Sequence, residues 1–278
     1  MPSPIFPSGE MCSLPIPENL KFKDVGPRTL YKHINIGNKC VGEIVEDLTK
    51  GKIKPGYRAH LDPDLNSGSI PTRPAQWKPV FGQAGIAEGH LQKQGVRKGD
   101  VFVFFGWFRR VEQVDGVCGY KKDAPDLHVI FGWLQIERRI AVDDLLSDPL
   151  LKWTSRHPHY KKKKYDDKLD CIYISTDYLK LPNMSMKKPG AGVFPKFDLL
   201  LCLTEPGKSR SVWRLPSWFD SRGKKPSLSY HGKKSRWKRL DKDHVRLKSV
   251  GRGQEFVLDC DDYPEAIPWL AGLLKAAT

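Results

Sequence analysis

Two apolar segments carry the same three residues. GDVFVFFGWFRR (residues 99–110) contains Phe105-Gly106-Trp107, and LHVIFGWLQIE (127–137) contains Phe131-Gly132-Trp133. No other feature constrains the fold as much. Both are runs of β-branched and aromatic residues of strand length. The loop between them, with Gly116, Gly119 and Pro125, is too short for a helical crossover. The pair therefore reads as an antiparallel hairpin of strands 101–111 and 127–137. Folding the loop near residue 119 sets Gly106 opposite Gly132, Phe105 opposite Trp133 and Trp107 opposite Phe131. Side chains alternate, so Phe105, Trp107, Phe131 and Trp133 share one face. The two glycines share the other, flanked by Phe104, Phe108, Ile130 and Leu134. Both faces are apolar, which predicts a central hairpin covered on both sides. Glycines inside strands mark a bulge or the close approach of another group. A packed helix is the plain candidate. A planar base is the functional one, with Trp107 or Trp133 as stacking wall and His128 and Arg110 at the rim.

The rest of the chain fits around this hairpin. Residues 1–30 are rich in Pro and read as extended loop. Val41, Ile44, Val45 and Leu48 fall on one face of a helix over 41–50 that Gly51 ends. Residues 82–95 read as a short helix stopped by Gly95, and VDDLLSD as a helical turn. Strands are predicted at 171–176, 197–204, 211–215, 227–231, 244–250 and 254–259. A helix behind Asp262, a good N-cap, closes the chain. There is no long repeat and no low-complexity linker. The expectation is a single α+β domain over 1–278, β-rich, with mostly antiparallel strands and a few short helices.

Charge narrows the partners. The chain has 278 residues, 47 Lys+Arg and 32 Asp+Glu, for a net charge of +15. Such a surplus favours polyanions, nucleic acid first, although a merely basic soluble protein has the same balance. Cys12, Cys40, Cys118, Cys171, Cys202 and Cys260 show no C-x-x-C spacing, which argues against a zinc ribbon and for reduced thiols in a cytoplasmic protein. The N-terminus lacks the pattern of a secretory signal, and no apolar run approaches membrane-spanning length.

Three constellations can carry chemistry. His60-Leu61-Asp62-Pro63-Asp64 puts an imidazole and two carboxylates on alternate positions, where an extended segment lets them converge on a divalent metal or act as an acid/base pair. The plain alternative is an Asx-Pro turn. His157-Pro158-His159 repeats the alternation and leads into Lys161, Lys162, Lys163 and Lys164, a run suited to phosphates or simply solvated. Two imidazoles alone are a weak metal signal, but with the acids of residues 60–64 they would make a divalent site if the fold joins the two segments; no metal ligands and no cofactor are assigned. The third, SRGKKPSLSYHGKKSRWKR (221–239), interleaves Lys224, Lys225, Lys233, Lys234 and Arg236 with Tyr230, His231 and Trp237. That mixture suits a surface that tracks a backbone and stacks bases, or an exposed hairpin with its aromatics turned inward. P-loop, G-x-S-x-G, H-E-x-x-H and dinucleotide fingerprints are absent.

Taken in order, PSPIFPSG, SLPIP, HLDPDL, FGQAGIAEGHL, GDVFVFFGWFR, HVIFGWLQ, HPH, SVWRLPSWF, LSYH, RW and GRGQEFVLD resemble the nucleotide modification associated domain 3 family of bacteria and phages, over nearly the whole chain. The resemblance implies a setting, the modification of nucleobases in nucleic acid, more firmly than a reaction. Matching motif residues with polar side chains are His60, Asp62, Asp64, Gln83, His90, His128, His157, His159, Tyr230, His231, Gln254 and Glu255. The family also implies a strand and a basic, Gly-rich segment ahead of Pro-Ser-Pro-Ile. This chain begins at that tetrapeptide, so either its start was assigned late or the strand is lost. The resulting expectation is an enzyme of a base-modification system. It would act on DNA ahead of RNA, alongside other enzymes, with the base in an aromatic, glycine-floored pocket. Asp62 or Asp64 would be base or metal ligand, and His60, His128 or His157 the acid/base partner. One alternative is a non-catalytic reader of a modified or flipped base, since Val-x-Lys-Gly-Asp before an apolar strand also opens strands in modules of the PUA type. Another is action on a free nucleotide, or a scaffold role.

Overall fold

The computed structural model describes residues 1–18, 29–160, 169–183, 187–221, 225–250 and 255–276. The chain opens with β1 (Ser3–Ile5) and β2 (Ile16–Pro17). The small hairpin of β3 (Asn35–Ile36) and β4 (Lys39–Cys40) leads into α1 (Val41–Leu48), and β5 (Ala59–His60) pairs back with β2. β6 (Val80–Gln83) runs into α2 (Gly85–Lys93). The long strand β7 (Val101–Val114), short β8 (Val117–Tyr120) and long β9 (Leu127–Ala141) follow, then α3 (Val142–Ser147), β10 (Cys171–Ser175) and β11 (Ala191–Val193). β12 (Val212–Pro216), β13 (Trp237–Arg239), β14 (His244–Lys248) and α4 (Ala266–Ala276) complete it.

The α+β expectation is met. The main sheet is ordered β1-β7-β9-β10-β6, with β8 paired to β7 and β11 to β9. Among the described residues only β1 joins it in parallel, Ser3 facing Phe108. A second sheet is ordered β12-β14-β13. The main sheet curls: the Phe81 ring on β6 lies 5.0 Å from Phe102 and 5.1 Å from Phe104 on β7, although β9 and β10 separate the two strands within the sheet. Phe108, Leu134, Ile136, Ile172 and Tyr173 are fully buried, each worth roughly 1.5–3 kcal/mol of transfer free energy.

The hairpin is central, as its two apolar faces predict, but its register differs from the expected one. Phe104 faces Gly132, Gly106 faces Val129 and Trp107 faces His128. Two local causes act. Asp115 and Gly116 both take positive φ (51° and 81°), the signature of a type I′ turn. The chain therefore reverses at 115–116 rather than at 119, and β8 returns along β7 with Val114 opposite Val117. In addition, Phe104 pairs with Gly132 but Phe105 with Ile130, so Phe131 is the extra residue of a β-bulge.

The space beside the glycines is filled by the protein itself. A Cβ on Gly132 would come within 2.7 Å of Leu65 Cδ1 and 2.8 Å of the Gly192 carbonyl oxygen. On Gly106 it would meet the rings of Phe108 and Phe131 at 3.3 and 3.4 Å. The occupant is thus a leucine and the backbone of β11, not a helix or a base. Other readings also change. In 197–204, Asp198 accepts a hydrogen bond from Leu200 N–H and turns Leu199–Leu201 into a 3-10 helix, since such side chains compete with the ladder. Neither 227–231 nor 255–259 is a strand. Ser229 joins them through its N–H to Val257 O and its Oγ to Val257 N–H. Residues 80–83 form a strand, and α2 begins only at Gly85.

Candidate functional site

β6 ends the main sheet, so its outer backbone edge needs partners. The segment around Asp62–Asp64 supplies them. Asp64 and Val80 exchange both backbone hydrogen bonds, at 2.9 and 3.0 Å. The next donor, Gly82 N–H, is met by a side chain: it donates to Asp62 Oδ1 at 2.9 Å. The Asp62–Pro63 peptide is cis.

Three imidazoles converge on that carboxylate, its side chain only 7% exposed. His157 Nε2 lies 3.4 Å from Oδ1, His159 Nε2 3.4 Å from Oδ2 and His60 Nε2 3.8 Å from Oδ2. His60 and Asp62 come from the end of β5 and the turn after it, where Asp62 N–H donates to His60 O. His157 and His159 follow a 3-10 helix over Pro149–Arg156, and the alternation through Pro158 brings both rings to one side. The His159 backbone N–H donates to His157 Nδ1 at 3.3 Å, so in the neutral ring the proton sits on Nε2, facing Asp62. His159 Nδ1 lies 3.6 Å from Asp170 Oδ1, just ahead of β10. Burial works to raise the Asp62 pKa, but the hydrogen bonding and charge of His157 and His159 outweigh it and hold the carboxyl well below the ordinary range. Gly82 makes the packing possible. A Cβ there would fall on the His159 ring and 2.9 Å from His157 Cε1.

Asp64 does not join this group. Both its oxygens are held by the Arg73 guanidinium, at 2.5 and 2.7 Å, and Arg73 stacks on Trp77 at 3.9 Å. The pair lines a cavity of about 170 Å³ walled by Trp77, Trp153, Lys152 and Arg156, with His157 in its lining as well. His157 thus belongs to both the carboxylate cluster and the cavity.

A second group of predicted residues gathers through a serine that the sequence did not single out. Ser229 Oγ is 2.9 Å from His90 Nε2, and its carbonyl is 3.1 Å from His231 Nδ1. The Tyr230 ring, on a backbone of positive φ (68°), packs 4.2 Å from His90. Gln83 Nε2 donates to Glu255 Oε1 at 2.6 Å. Burial lowers the pKa of both His90 and His231. Gly82 and Gln83 are adjacent on β6, so strand alternation sends the two groups to opposite faces.

The remaining candidates are dispersed. His128 accepts from Trp213 Nε1 at 3.0 Å and packs against Phe105, and burial, with Arg210 nearby, pushes it down to about 4. Arg210 lies over the Trp107 ring at 4.1 Å, and Trp133 is buried, donating to Pro189 O. Arg110 lies over Phe197. Lys225 is paired with Asp259 and Asp262, Arg236 donates to Lys248 O, and Trp237 donates to His231 O. Lys233 and Lys234 are exposed. Lys161, Lys162, Lys163, Lys164, Lys224 and Gln254 lie outside the described residues. Gly82, Ser229 and Asp170 were missed. So was Glu88, a fully buried carboxylate bonded to Arg139, Tyr173 and Gln92. Among the described residues, no helix is long and apolar enough to cross a membrane.

No curated protein and no solved structure matches the chain. The model of nucleotide modification associated domain 3 does match, over residues 1–259 of 278. The chain belongs to the nucleotide modification associated domain 3 family.

Proposed function

We propose that this protein is an enzyme that modifies a base of nucleic acid, DNA ahead of RNA, with its reaction centre at Asp62, His60, His157 and His159. The observation that carries the reading is the convergence of three imidazoles on one buried, ionised carboxylate. Chemistry uses titratable groups held in place by burial and mutual contact, and His60, Asp62 and His159 bring donor atoms within 4.8 Å of one another. His60, its side chain 34% exposed, is the member open to solvent and therefore to a reacting atom.

In this reading the base enters the neighbouring cavity. The indoles of Trp77 and Trp153 and the cations Lys152 and Arg156 suit a flat ring joined to phosphate, Arg73 being committed to Asp64 and Trp77. Its volume of about 170 Å³ is close to that of the roughly 150 Å³ cavity that admits one benzene, which favours a single ring over a whole nucleotide. The lysine run 161–164 begins two residues after His159 and adds charge for a polyanion. The reader alternative needs a pocket at the Phe-Gly-Trp pair, and that space holds Leu65, Gly192 and Arg210.

The test is mass spectrometry of nucleosides from cells with the gene intact, deleted, or carrying Asp62→Asn or His60→Ala. A nucleoside lost in the deletion and in both variants, with its precursor accumulating, is the expected outcome. A product that persists in both variants overturns the assignment of the centre.

A further inference from the structure

We propose that His60 Nε2, His159 Nε2 and Asp62 Oδ2 bind one divalent transition-metal ion. The inference deepens the reading above and rests on the same centre. Each of the three residues offers a donor atom, and these lie within 4.8 Å of one another. Two imidazole nitrogens and one carboxylate oxygen form a donor set for Zn²⁺, Co²⁺ or Fe²⁺ rather than for Mg²⁺ or Ca²⁺, which take oxygen.

The division of labour on the carboxylate supports this. Oδ1 is committed to the protein: it accepts from Gly82 N–H and faces the protonated Nε2 of His157. Oδ2 is faced by the two other imidazoles, at 3.4 and 3.8 Å. With ligand bonds of about 2.1 Å, tetrahedral donors sit about 3.4 Å apart; Asp62 Oδ2 stands at 3.4 Å from His159 and 3.8 Å from His60, and the two imidazole nitrogens, within 4.8 Å of each other, close the site by an approach of up to about 1.4 Å. Asp170 stands beside His159: its Oδ1 is 3.6 Å from Nδ1, beyond hydrogen-bond length, so a shift of about 0.5 Å makes it the carboxylate partner that fixes the tautomer leaving Nε2 for metal. His60 is half-buried while His159 and Asp62 are shielded, so His60 is the ligand nearest to solvent. An open position there separates a catalytic metal from a closed structural one.

The experiment is titration of tag-free, chelator-treated full-length protein with Co²⁺, followed by its visible absorption and by calorimetry. One Co²⁺ per chain is expected, displaced by Zn²⁺ and not by Mg²⁺. His60→Ala and His159→Ala should each weaken binding at least 10-fold while keeping the circular dichroism of the wild type. Asp170→Asn should weaken it about 10–100-fold, the usual effect of an outer-shell partner. His60 is half-exposed, so its variant stays informative if His159→Ala fails to fold. No binding by the wild type, or unchanged binding in His60→Ala, overturns the metal site. Metal binding without any nucleoside phenotype would instead overturn the proposed function and leave the metal site standing.

Discussion

Gly82→Ala perturbs the histidine cluster through one methyl group. Gly82 does not occupy the positive-φ region, so alanine suits its backbone, and the N–H that holds Asp62 is retained. The new Cβ would fall on the His159 ring and 2.9 Å from His157 Cε1, where ordinary contacts are 3.4–4 Å. Both rings sit in close packing, His157 only 3% and His159 9% exposed in their side chains. Relief therefore requires the His159 ring to move by about 1 Å or more, an overpacking cost of about 1–3 kcal/mol. For a chain of this size that lowers Tm by about 2–5 °C. The functional loss is larger, because a misplacement of about 1 Å costs about 100-fold in rate. Calorimetry and the yield of modified nucleoside read the two effects separately. Gly272→Ala on α4, where a Cβ meets nothing within 4 Å, is the control and should not destabilise the protein. A Gly82→Ala protein with wild-type Tm and wild-type yield would refute the packing on which the whole cluster rests.

Two further outcomes follow from buried polar groups. Asp64→Ala strands the Arg73 guanidinium, whose side chain is 10% exposed, and should cost about 3 kcal/mol in urea unfolding, the low end for a broken buried pair because Arg73 keeps its bonds to Ser67 O, Asn66 O and Ser69 Oγ; a variant of full stability that loses activity would assign Asp64 to chemistry instead. His128 has a folded pKa of about 4 against an ordinary 6.5, so the unfolded chain takes up the proton more readily between those values. Its contribution is complete above pH 6.5 and is lost as pH falls towards 4. The full shift is worth about 3 kcal/mol, reduced to about 1–2 kcal/mol by partial exposure. His128→Asn keeps an acceptor for Trp213 and should flatten that part of the stability curve, and an unchanged slope between pH 6.5 and 4 would show that His128 is not the group responsible.

The fold was legible where the signal is local. The apolar face of α1, the two long strands and β10, β12 and β14 follow from periodicity within a few residues of each other. Register was not, because it depends on where the chain reverses. The dipeptide Asp115-Gly116 between Val114 and Val117 is a strong hairpin signal, and it outweighs the midpoint of the loop. The bulge at Phe131 has no comparable local mark. Segments 227–231 and 255–259 failed as strands for a different reason. Ser229 offers its side chain in place of a ladder partner, and that choice depends on a neighbour distant in sequence.

The site divides along the same line. Alternation within His60-Leu61-Asp62 and within His157-Pro158-His159 was readable, because each spans three residues. That the two motifs meet was not, since a strand separate from both brings them together. β6 is the outermost strand of its sheet and must dispose of its outward N–H groups. Asp64 satisfies Val80 with backbone, whereas Asp62 satisfies Gly82 with a carboxylate. That exchange of backbone for side chain leaves the other carboxylate oxygen facing His60 and His159, and a residue without Cβ opposite them leaves room for their rings. An edge strand that needed capping and a glycine that removed a side chain thus account together for a polar cluster at the margin of the sheet. The single glycine between Phe81 and Gln83 is the mark that the sequence carried for it.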